Sequence, residues 1–202
     1  MAKPRSPEMT LDGWLSLAKS DSVRNRIATE EGLDDFQAII RVVARRSVLD
    51  WDEVVSIIHM VYGWMPTMLR PTVKHSESEK DRLIKVLKVV KQGGFLNSTQ
   101  LSWVQRFSNR SIVGASKMLH ALNPTNYVIW DSRVAEVFMW QGVTQATYST
   151  LERYVEYLET LREWVKNPLV VEQCSEIRKL KSELTDASDL RIIELVLFRG
   201  KV

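Results

Sequence analysis

Lys117 and Asp131 are the two side chains whose types and spacing could do chemistry together. They lie towards the two ends of the segment at residues 114–134, GASKMLHALNPTNYVIWDSRV, with a dense apolar run just before the aspartate. A neutral amine can attack an electron-poor carbon, and a nearby carboxylate can stabilise positive charge on that carbon or take up a proton. The C1′ carbon of a sugar that is losing its base becomes oxocarbenium-like and calls for this combination.

The residues before Lys117 predict that this lysine lies at the start of a helix. Gly114–Ser116 indicate a small-residue turn, and helical periodicity resumes immediately afterwards, which places Lys117 in the first turn. The positive end of the helix dipole, together with apolar surroundings, would lower the pKa of the amine and leave more of it neutral and nucleophilic. The amides at such a helix start could also hold phosphate groups.

Asp131 is predicted to cap the next helix. The helix that carries the lysine must end before Pro124, because a proline disfavours the helical conformation in the residue before it. Tyr127–Trp130 is too apolar for a free loop, so we expect it to anchor this connection in the core. The Asp131 carboxylate would then accept a backbone N–H from Arg133 or Val134. The segment therefore predicts two helix starts that face one cleft, one with an amine and one with a carboxylate.

This order of a small-residue turn, a helix-start lysine, a helix, an apolar segment and a capping aspartate resembles the helix-hairpin-helix GPD superfamily of DNA glycosylases. It is most similar to members of the 8-oxoguanine DNA glycosylase type. The resemblance is best over Asn109–Phe138, and YGWMPTML at residues 62–69 and LRIIELVLF at residues 190–198 are also similar to small proteins of that kind. It implies a two-lobed, all-α fold with a cleft between the lobes, with Lys117 as the catalytic lysine and Asp131 as the catalytic aspartate.

The segment departs from the family pattern in two respects. Gly114 stands alone where the family's hairpin has a Gly-x-Gly, and the connection to the aspartate is shorter. Both departures concern how the hairpin grips the DNA backbone more than they concern the catalytic pair.

The activity that the resemblance implies is excision of a damaged or modified base from double-stranded DNA, without a cofactor or a metal ion. The base is flipped out, Lys117 attacks C1′ with help from Asp131, and the resulting Schiff base can go on to cleave the strand. A monofunctional enzyme, in which Asp131 guides a water molecule, is the alternative mechanism. The substrate is either 8-oxoguanine or a hypermodified base of viral DNA, such as glucosylated hydroxymethylcytosine, as part of an antiviral defence.

Interpretations without catalysis stay open. From spacing alone, Lys117 is a surface lysine and Asp131 is an ordinary N-cap. The protein would then be a non-enzymatic helical DNA-binding module or an interaction module of a phage-defence system.

Further residues are expected to bind DNA or the flipped base. His120 lies on the same helical face as the lysine, Arg133 follows the capping aspartate closely, and the lysines at positions 85 and 88 form a basic stripe. An aromatic ring can stack on an extruded base, and Trp64, in a segment broken by prolines, is the first candidate among Trp64, Trp103, Trp130 and Trp140. The predicted DNA- or base-binding residues are Trp64, Lys85, Lys88, Arg110, Ser116, His120 and Arg133.

The composition is that of an ordinary globular protein, with 45% hydrophobic and 26% charged residues among 202. Lysine and arginine outnumber the acidic residues by 28 to 25, a balance that permits a polyanionic partner. The single cysteine, Cys174, cannot form an internal disulfide, and the three histidines lack metal-ligand spacing. Because no signal-peptide core or membrane-spanning run is visible, a cytoplasmic protein is expected. We also expect it to be a monomer.

Helical periodicity along nearly the whole chain predicts an all-α fold with about nine to eleven helices. We expect a single glycosylase-like unit with lobes at residues 1–72 and 77–202, separated by the charge-rich stretch at residues 70–81. A solvated loop inside one domain is the alternative explanation of that stretch.

Overall fold

The protein is all-α, as its periodicity predicts. The structure is a computed structural model that describes residues 9–65, 69, 75–139 and 144–200, apart from the side chains of Asp34 and Gln145. Over these residues the chain forms twelve α-helices and a 3₁₀ turn, slightly more than expected. No helix in these ranges is long and apolar enough to cross a membrane. The helices are α1 (Leu11–Lys19), α2 (Asp21–Ala28), α3 (Leu33–Ala44), α4 (Trp51–Trp64), α5 (Glu77–Lys91), α6 (Ser98–Phe107), α7 (Ile112–Leu122), α8 (Ser132–Met139), α9 (Gln145–Tyr148), α10 (Leu151–Trp164), α11 (Pro168–Arg178) and α12 (Asp189–Arg199), and the 3₁₀ turn is Ser182–Leu184.

The chain divides into two compact units. The central unit is the continuous stretch Glu31–Ile129, which holds α3 to α7. The terminal unit combines Met1–Glu30 with Trp130–Val202 and holds α1, α2 and α8 to α12. The boundary expected between residues 72 and 77 differs from this division and lies inside the central unit. The physical reason is that α4 and α5, on either side of that boundary, both pack against α7.

Part of the connection expected between the two lobes lies outside the residues that the structure describes. Residues 66–68 and 70–74, which include most of YGWMPTML after its tryptophan and the expected lobe boundary, lie outside the described ranges.

The central unit is built around α7. This helix packs against α3, α4, α5 and α6, and all of its residues except Val113 are buried. A helix buried on every side must be small or apolar on every side, as the composition of α7 is apart from Lys117 and His120. Helix α3 begins after Gly32 without a side-chain cap, and the other four helices of this unit begin at side-chain caps, which satisfy free backbone N–H groups. These caps are Asp50 for α4, Ser76 for α5, Asn97 for α6 and Ser111 for α7.

In the terminal unit the central helix is α12. It packs against α1, α2, α8, α10 and α11, and its residues from Leu190 to Leu197 are all buried. These residues include Arg191 and Glu194, which form an ion pair within the helix. Each charge compensates the other in surroundings where a lone charge would be strongly destabilising.

Local caps define two helix starts in the terminal unit. The Thr150 hydroxyl caps α10. The Asn167 side chain caps α11, whose first residue is Pro168. A proline is tolerated at this first position, since its missing N–H would have no helical partner there.

Candidate functional site

Lys117 lies in the middle of α7 and not in its first turn. The Ser111 hydroxyl oxygen accepts the N–H of Gly114 at 3.2 Å, so α7 begins at Ile112 and Gly114–Ser116 are already helical. The prediction that these three residues form the turn is therefore wrong, and so is the first-turn position of Lys117. Because the field of the helix dipole is concentrated in the first turn, Lys117 lies outside the part of α7 where it acts.

The turn between α6 and α7 is formed by Ser108–Ser111. Asn109 and Arg110 both have positive φ angles, 55° and 56°, in a backbone region that is uncommon for residues other than glycine. The Arg110 carbonyl accepts a hydrogen bond from the Gln105 side chain at 3.4 Å, while the Arg110 side chain is exposed. The hairpin is therefore tight without a Gly-x-Gly, and it presents an arginine.

Gly114 lets α4 and α7 approach each other closely. A Cβ atom at this position would lie 2.3 Å from the hydroxyl oxygen of Tyr62. The same hydroxyl donates a hydrogen bond to the Ser108 carbonyl at 3.0 Å, and burial raises the pKa of Tyr62 to about 12. The glycine thus serves the packing of Tyr62 beneath the hairpin.

The Lys117 amine lies in buried, aromatic surroundings. The residue is 6% exposed, and its Nζ atom is 5.0 Å from the centroid of the Trp64 ring. Trp64 packs against Phe36 with 4.7 Å between ring centroids. We call Phe36, Trp64, Lys117 and His120 the lysine cluster. Since lysine is seldom buried to this extent, the interpretation of Lys117 as an ordinary surface lysine is wrong.

His120 is the second polar member of the lysine cluster. It is fully buried, and its ring stacks on Phe36 with 5.9 Å between centroids. Its Nδ1 atom lies 2.6 Å from the Tyr127 carbonyl oxygen. His120 therefore links α7 to the connection that follows it. Its contact with DNA or a flipped base stays a prediction.

That connection is anchored in the core, as its apolar sequence predicts. Tyr127–Trp130 are at most 1% exposed, and the hydroxyl of the tyrosine donates to the Gly94 carbonyl at 3.0 Å. The Asn123 side-chain amide donates to the Val90 carbonyl at 2.9 Å. These hydrogen bonds tie the residues after α7 to the end of α5.

Asp131 caps α8 in the terminal unit, as predicted. Its Oδ1 atom accepts the N–H of Val134 at 3.0 Å, and its carbonyl accepts the N–H of Ala135 at 2.9 Å. Burial, assisted by the negative charges of Glu194 and Asp131, raises the pKa of Tyr157. The hydrogen bond from Val134 therefore fixes the orientation of the Asp131 carboxylate, and its negative charge contributes to the raised pKa of the buried Tyr157.

Two predicted DNA- or base-binding residues have settings that differ from those expected. Ser116 is fully buried, and its hydroxyl donates to the Val113 carbonyl inside α7 at 2.9 Å, so it is not at the hairpin surface. Trp64 is the last residue of α4 and is half-buried, and not part of an irregular loop. The remaining predictions, Lys85, Lys88, Arg110 and Arg133, are exposed and available to phosphate groups.

The other tryptophans differ in accessibility. Trp130 is fully buried, and its ring N–H donates to the Tyr148 carbonyl at 2.9 Å. Trp103, on α6, is half-buried. Trp140 lies outside the described residues. Of Trp103 and Trp130, Trp103 is the one that the structure leaves partly accessible.

A signal that the sequence predictions did not use is the absence of aspartate and glutamate between Asp81 and Asp131. We call residues 82–130 the acid-free segment; it supplies the second half of the central unit, from α5 to α7. Cations without nearby carboxylates give a surface a positive potential. The lysines and arginines of the segment are Arg82, Lys85, Lys88, Lys91, Arg106, Arg110 and Lys117.

No protein-family model, no curated protein and no solved structure matches this chain. Among the residues that the structure describes, no group of three or more His, Cys, Asp and Glu side chains is arranged to hold a metal ion. The function is therefore inferred from the residues of the site.

Proposed function

We propose that this protein is a DNA glycosylase that flips a damaged or modified base out of double-stranded DNA and cleaves its N-glycosidic bond. The observation that carries the proposal is the burial of Lys117 against Trp64, in the helix that follows the hairpin. The substrate is either 8-oxoguanine or a hypermodified base of viral DNA such as glucosylated hydroxymethylcytosine. In the second case the protein acts in antiviral defence. With either substrate we propose that it acts as a monomer in the cytoplasm.

The role of Lys117 follows from its surroundings. An amine acts as a nucleophile through its neutral form, and a site closed to bulk water keeps water from competing for the sugar carbon. The amine lone pair forms a bond to C1′ while the N-glycosidic bond breaks, and the base leaves with the bonding electrons and takes up a proton. The ring oxygen then leaves C1′ and accepts a proton from the nitrogen, which produces the Schiff base. In the monofunctional alternative, water forms the new bond to C1′.

Asp131 would act through its negative charge. A carboxylate with fixed orientation stabilises the positive charge that develops at C1′ as the base leaves, and such preorganised electrostatic groups contribute about 10²- to 10³-fold in rate. The hydrogen bond from Val134 restrains the Asp131 side chain. The proposal requires that Lys117 and Asp131 act on the same sugar.

The acid-free segment supports a DNA partner. Lys85, Lys88 and Arg110 are exposed, and lysine and arginine contacts to phosphates supply most of the sequence-independent affinity for DNA. Trp64 is half-buried beside the amine, where an aromatic ring can stack on an extruded base. Phosphate contacts and a base contact would thus both come from the central unit.

Borohydride trapping on modified duplex DNA tests the proposal. The duplexes carry 8-oxoguanine, glucosylated hydroxymethylcytosine or another modified base, and the wild-type protein is expected to form a covalent adduct with one of them. Lys117→Gln should lose the adduct completely. Asp131→Asn should slow base release by about 10²-fold or more.

Lys166→Gln is the matched control, because it also replaces a lysine by glutamine. Lys166 is exposed and follows the end of α10 in the terminal unit. It should leave adduct formation unchanged. If neither an adduct nor a released base is found with any duplex, the glycosylase proposal is wrong.

A non-enzymatic DNA-binding module is the second candidate function. The observation that favours it is the acid-free segment, which can bind phosphates without any contribution from Lys117 or Asp131. In that case the protein binds duplex DNA at about 50 mM salt, and its affinity falls steeply as the salt concentration rises. No base is released from the DNA, and Lys117→Gln binds it as the wild type does.

A further inference from the structure

A group of aromatic and basic side chains lies on the central unit where α4 and α5 begin and α6 ends. We call it the aromatic–arginine surface, and it consists of Trp51, His75, Arg82, Trp103, Arg106 and Phe107. All six residues except Arg82 line one surface pocket together with Glu79 and Leu83. None of them belongs to the lysine cluster, and Trp103 is the one member of the six that the sequence also predicts as a candidate for stacking on an extruded base.

Three rings form the first half of this surface. Trp51 and Phe107 meet edge to face with 5.5 Å between centroids. His75 lies 5.8 Å from Trp51 and 5.4 Å from Phe107. All three residues are half-buried, so parts of their rings stay open to solvent. Lys80 extends over Trp51 at 5.2 Å from the ring centroid, and its amine also pairs with Glu77 at 2.6 Å.

Trp103 and two arginines form the second half. The guanidinium carbons of Arg82 and Arg106 lie 4.7 and 5.8 Å from the Trp103 centroid. Arg106 also forms an ion pair with Glu79 at 3.1 Å. Arg82 is exposed, and no acidic side chain among the described residues is within ion-pair distance of it. Its charge and its N–H groups are therefore available to a ligand.

We propose that the aromatic–arginine surface binds unstacked nucleotides of single-stranded nucleic acid, with Arg82 on a phosphate and the half-buried rings against bases. Aromatic rings beside a positively charged groove are the combination that holds single strands, because each base offers a π-face and each link carries a negative charge. Guanidinium groups donate hydrogen bonds to phosphate and also stack on aromatic rings. In duplex DNA the base faces are already stacked on one another, so the rings favour a single strand.

This inference shares the nucleic-acid partner of the proposed function but does not depend on base excision. A strand opened around a flipped base is one source of unstacked nucleotides, and a separate single strand is another. A protein partner is a different class of ligand, which the absence of affinity for oligonucleotides would indicate.

Fluorescence anisotropy with a labelled ten-residue oligothymidylate tests the proposal on the full chain. The wild type should bind it at about 50 mM salt, and Arg82→Gln should raise Kd by about fivefold or more and reduce the slope of log K against log salt by about 0.7. Arg82→Lys, which keeps the charge but not the planar guanidinium, should fall between the two. Lys179→Gln, which removes an exposed lysine of the terminal unit, should change Kd by less than about twofold.

A ten-residue abasic strand separates base stacking from phosphate attraction. The wild type should bind oligothymidylate about tenfold more tightly than the abasic strand, and Trp103→Leu should remove this preference while its thermal melting still shows a folded protein. Equal affinity of the wild type for both strands, or no difference between Arg82→Gln and Lys179→Gln, would overturn the proposal. Oligothymidylate binding by Lys117→Gln is the independent check, since this variant removes the amine that the proposed base excision uses and leaves the aromatic–arginine surface unchanged. It should bind the oligonucleotide as tightly as the wild type does, even where its borohydride adduct is lost.

Discussion

Lys117 and Asp131 owe their positions to different parts of the chain. Asp131 is held by the N–H of Val134, three residues later, so its setting depends on local sequence alone. Lys117 is held by Trp64, which belongs to another helix, so its setting depends on how α4 packs against α7. A local pattern can therefore identify the aspartate as a cap, whereas it cannot show that the lysine is buried.

Substitutions of Asp131 should separate its structural role from its charge. Asp131→Ala removes the N-cap and should lower the free energy of unfolding by about 1 kcal/mol, while Asp131→Asn keeps a capping oxygen and should stay within a few tenths of wild type. Urea denaturation measures both. If Asp131→Asn destabilises the protein as much as Asp131→Ala does, the negative charge, and not the cap, holds α8 in place.

At the scale of elements, the contact between α4 and α7 is the one most sensitive to side-chain size. Gly114 on α7 faces the Tyr62 hydroxyl on α4, and this hydroxyl also hydrogen-bonds the hairpin through the Ser108 carbonyl. A single close approach therefore joins α4, α7 and the turn between α6 and α7. It also keeps Trp64, two residues after Tyr62, beside the Lys117 amine.

Gly114→Ala should destabilise the protein by about 1–3 kcal/mol, because the added methyl group overlaps the Tyr62 hydroxyl and forces the two helices apart. Gly63→Ala is the matched control. No atom lies within 4 Å of a Cβ there, so the better helix propensity of alanine should raise stability by about 0.5 kcal/mol.

Chemical denaturation of the two variants provides the comparison. The double variant Tyr62→Phe/Gly114→Ala, in which the obstructing oxygen is removed, should lose less stability than the sum of the two single changes. Strict additivity would show that the close approach does not cause the effect.

At the scale of the whole molecule, each unit is organised around a buried helix that carries ionisable side chains. In the central unit α7 holds Lys117 and His120, and in the terminal unit α12 holds the Arg191–Glu194 pair. Buried ionisable groups destabilise a core unless they are compensated. Charge is also unevenly distributed along the chain, because residues 82–130 contain no acidic residue. This absence of acidic residues distinguishes the segment that supplies α6 and α7 from the rest of the chain.

The free energy of unfolding should depend on pH through Cys174, a buried thiol of the terminal unit. Burial raises the pKa of this thiol from 9.0 to about 12, so the folded state holds the proton more tightly than the unfolded state does. The corresponding stability is fully present below about pH 9 and is lost as pH rises towards about 12. Urea denaturation between about pH 8 and pH 11 should show a steeper loss for the wild type than for Cys174→Ala.

Thiol labelling provides a second measurement of the same group. A disulfide reagent at about pH 8 should react with Cys174 far more slowly in the folded protein than in guanidinium chloride, since the thiolate is the reactive form. Equal rates in the two states, or parallel pH profiles for the wild type and Cys174→Ala, would contradict the burial of this side chain.

The sequence by itself determined the helical character of the chain, the anchored connection at Tyr127–Trp130 and the cap at Asp131. These features depend on periodicity and on hydrogen bonds between residues close together in the chain, so they are visible without a fold. The start of α7 was misplaced because Ser111 was not recognised as its cap and the small residues after it resemble a turn.

The tertiary structure alone decided the burial of Lys117, the function of Gly114 and the division into a central and a terminal unit. Each depends on contacts between residues far apart in the chain: Trp64 beside Lys117, Tyr62 beside Gly114, and α1 and α2 packed against α12. Such contacts are chosen by the packing of whole helices, and no window of the sequence contains both partners. The sequence of one segment, residues 114–134, is enough to select Lys117 and Asp131 as candidates. The aromatic surroundings of the Lys117 amine come from α3 and α4, which lie elsewhere in the chain.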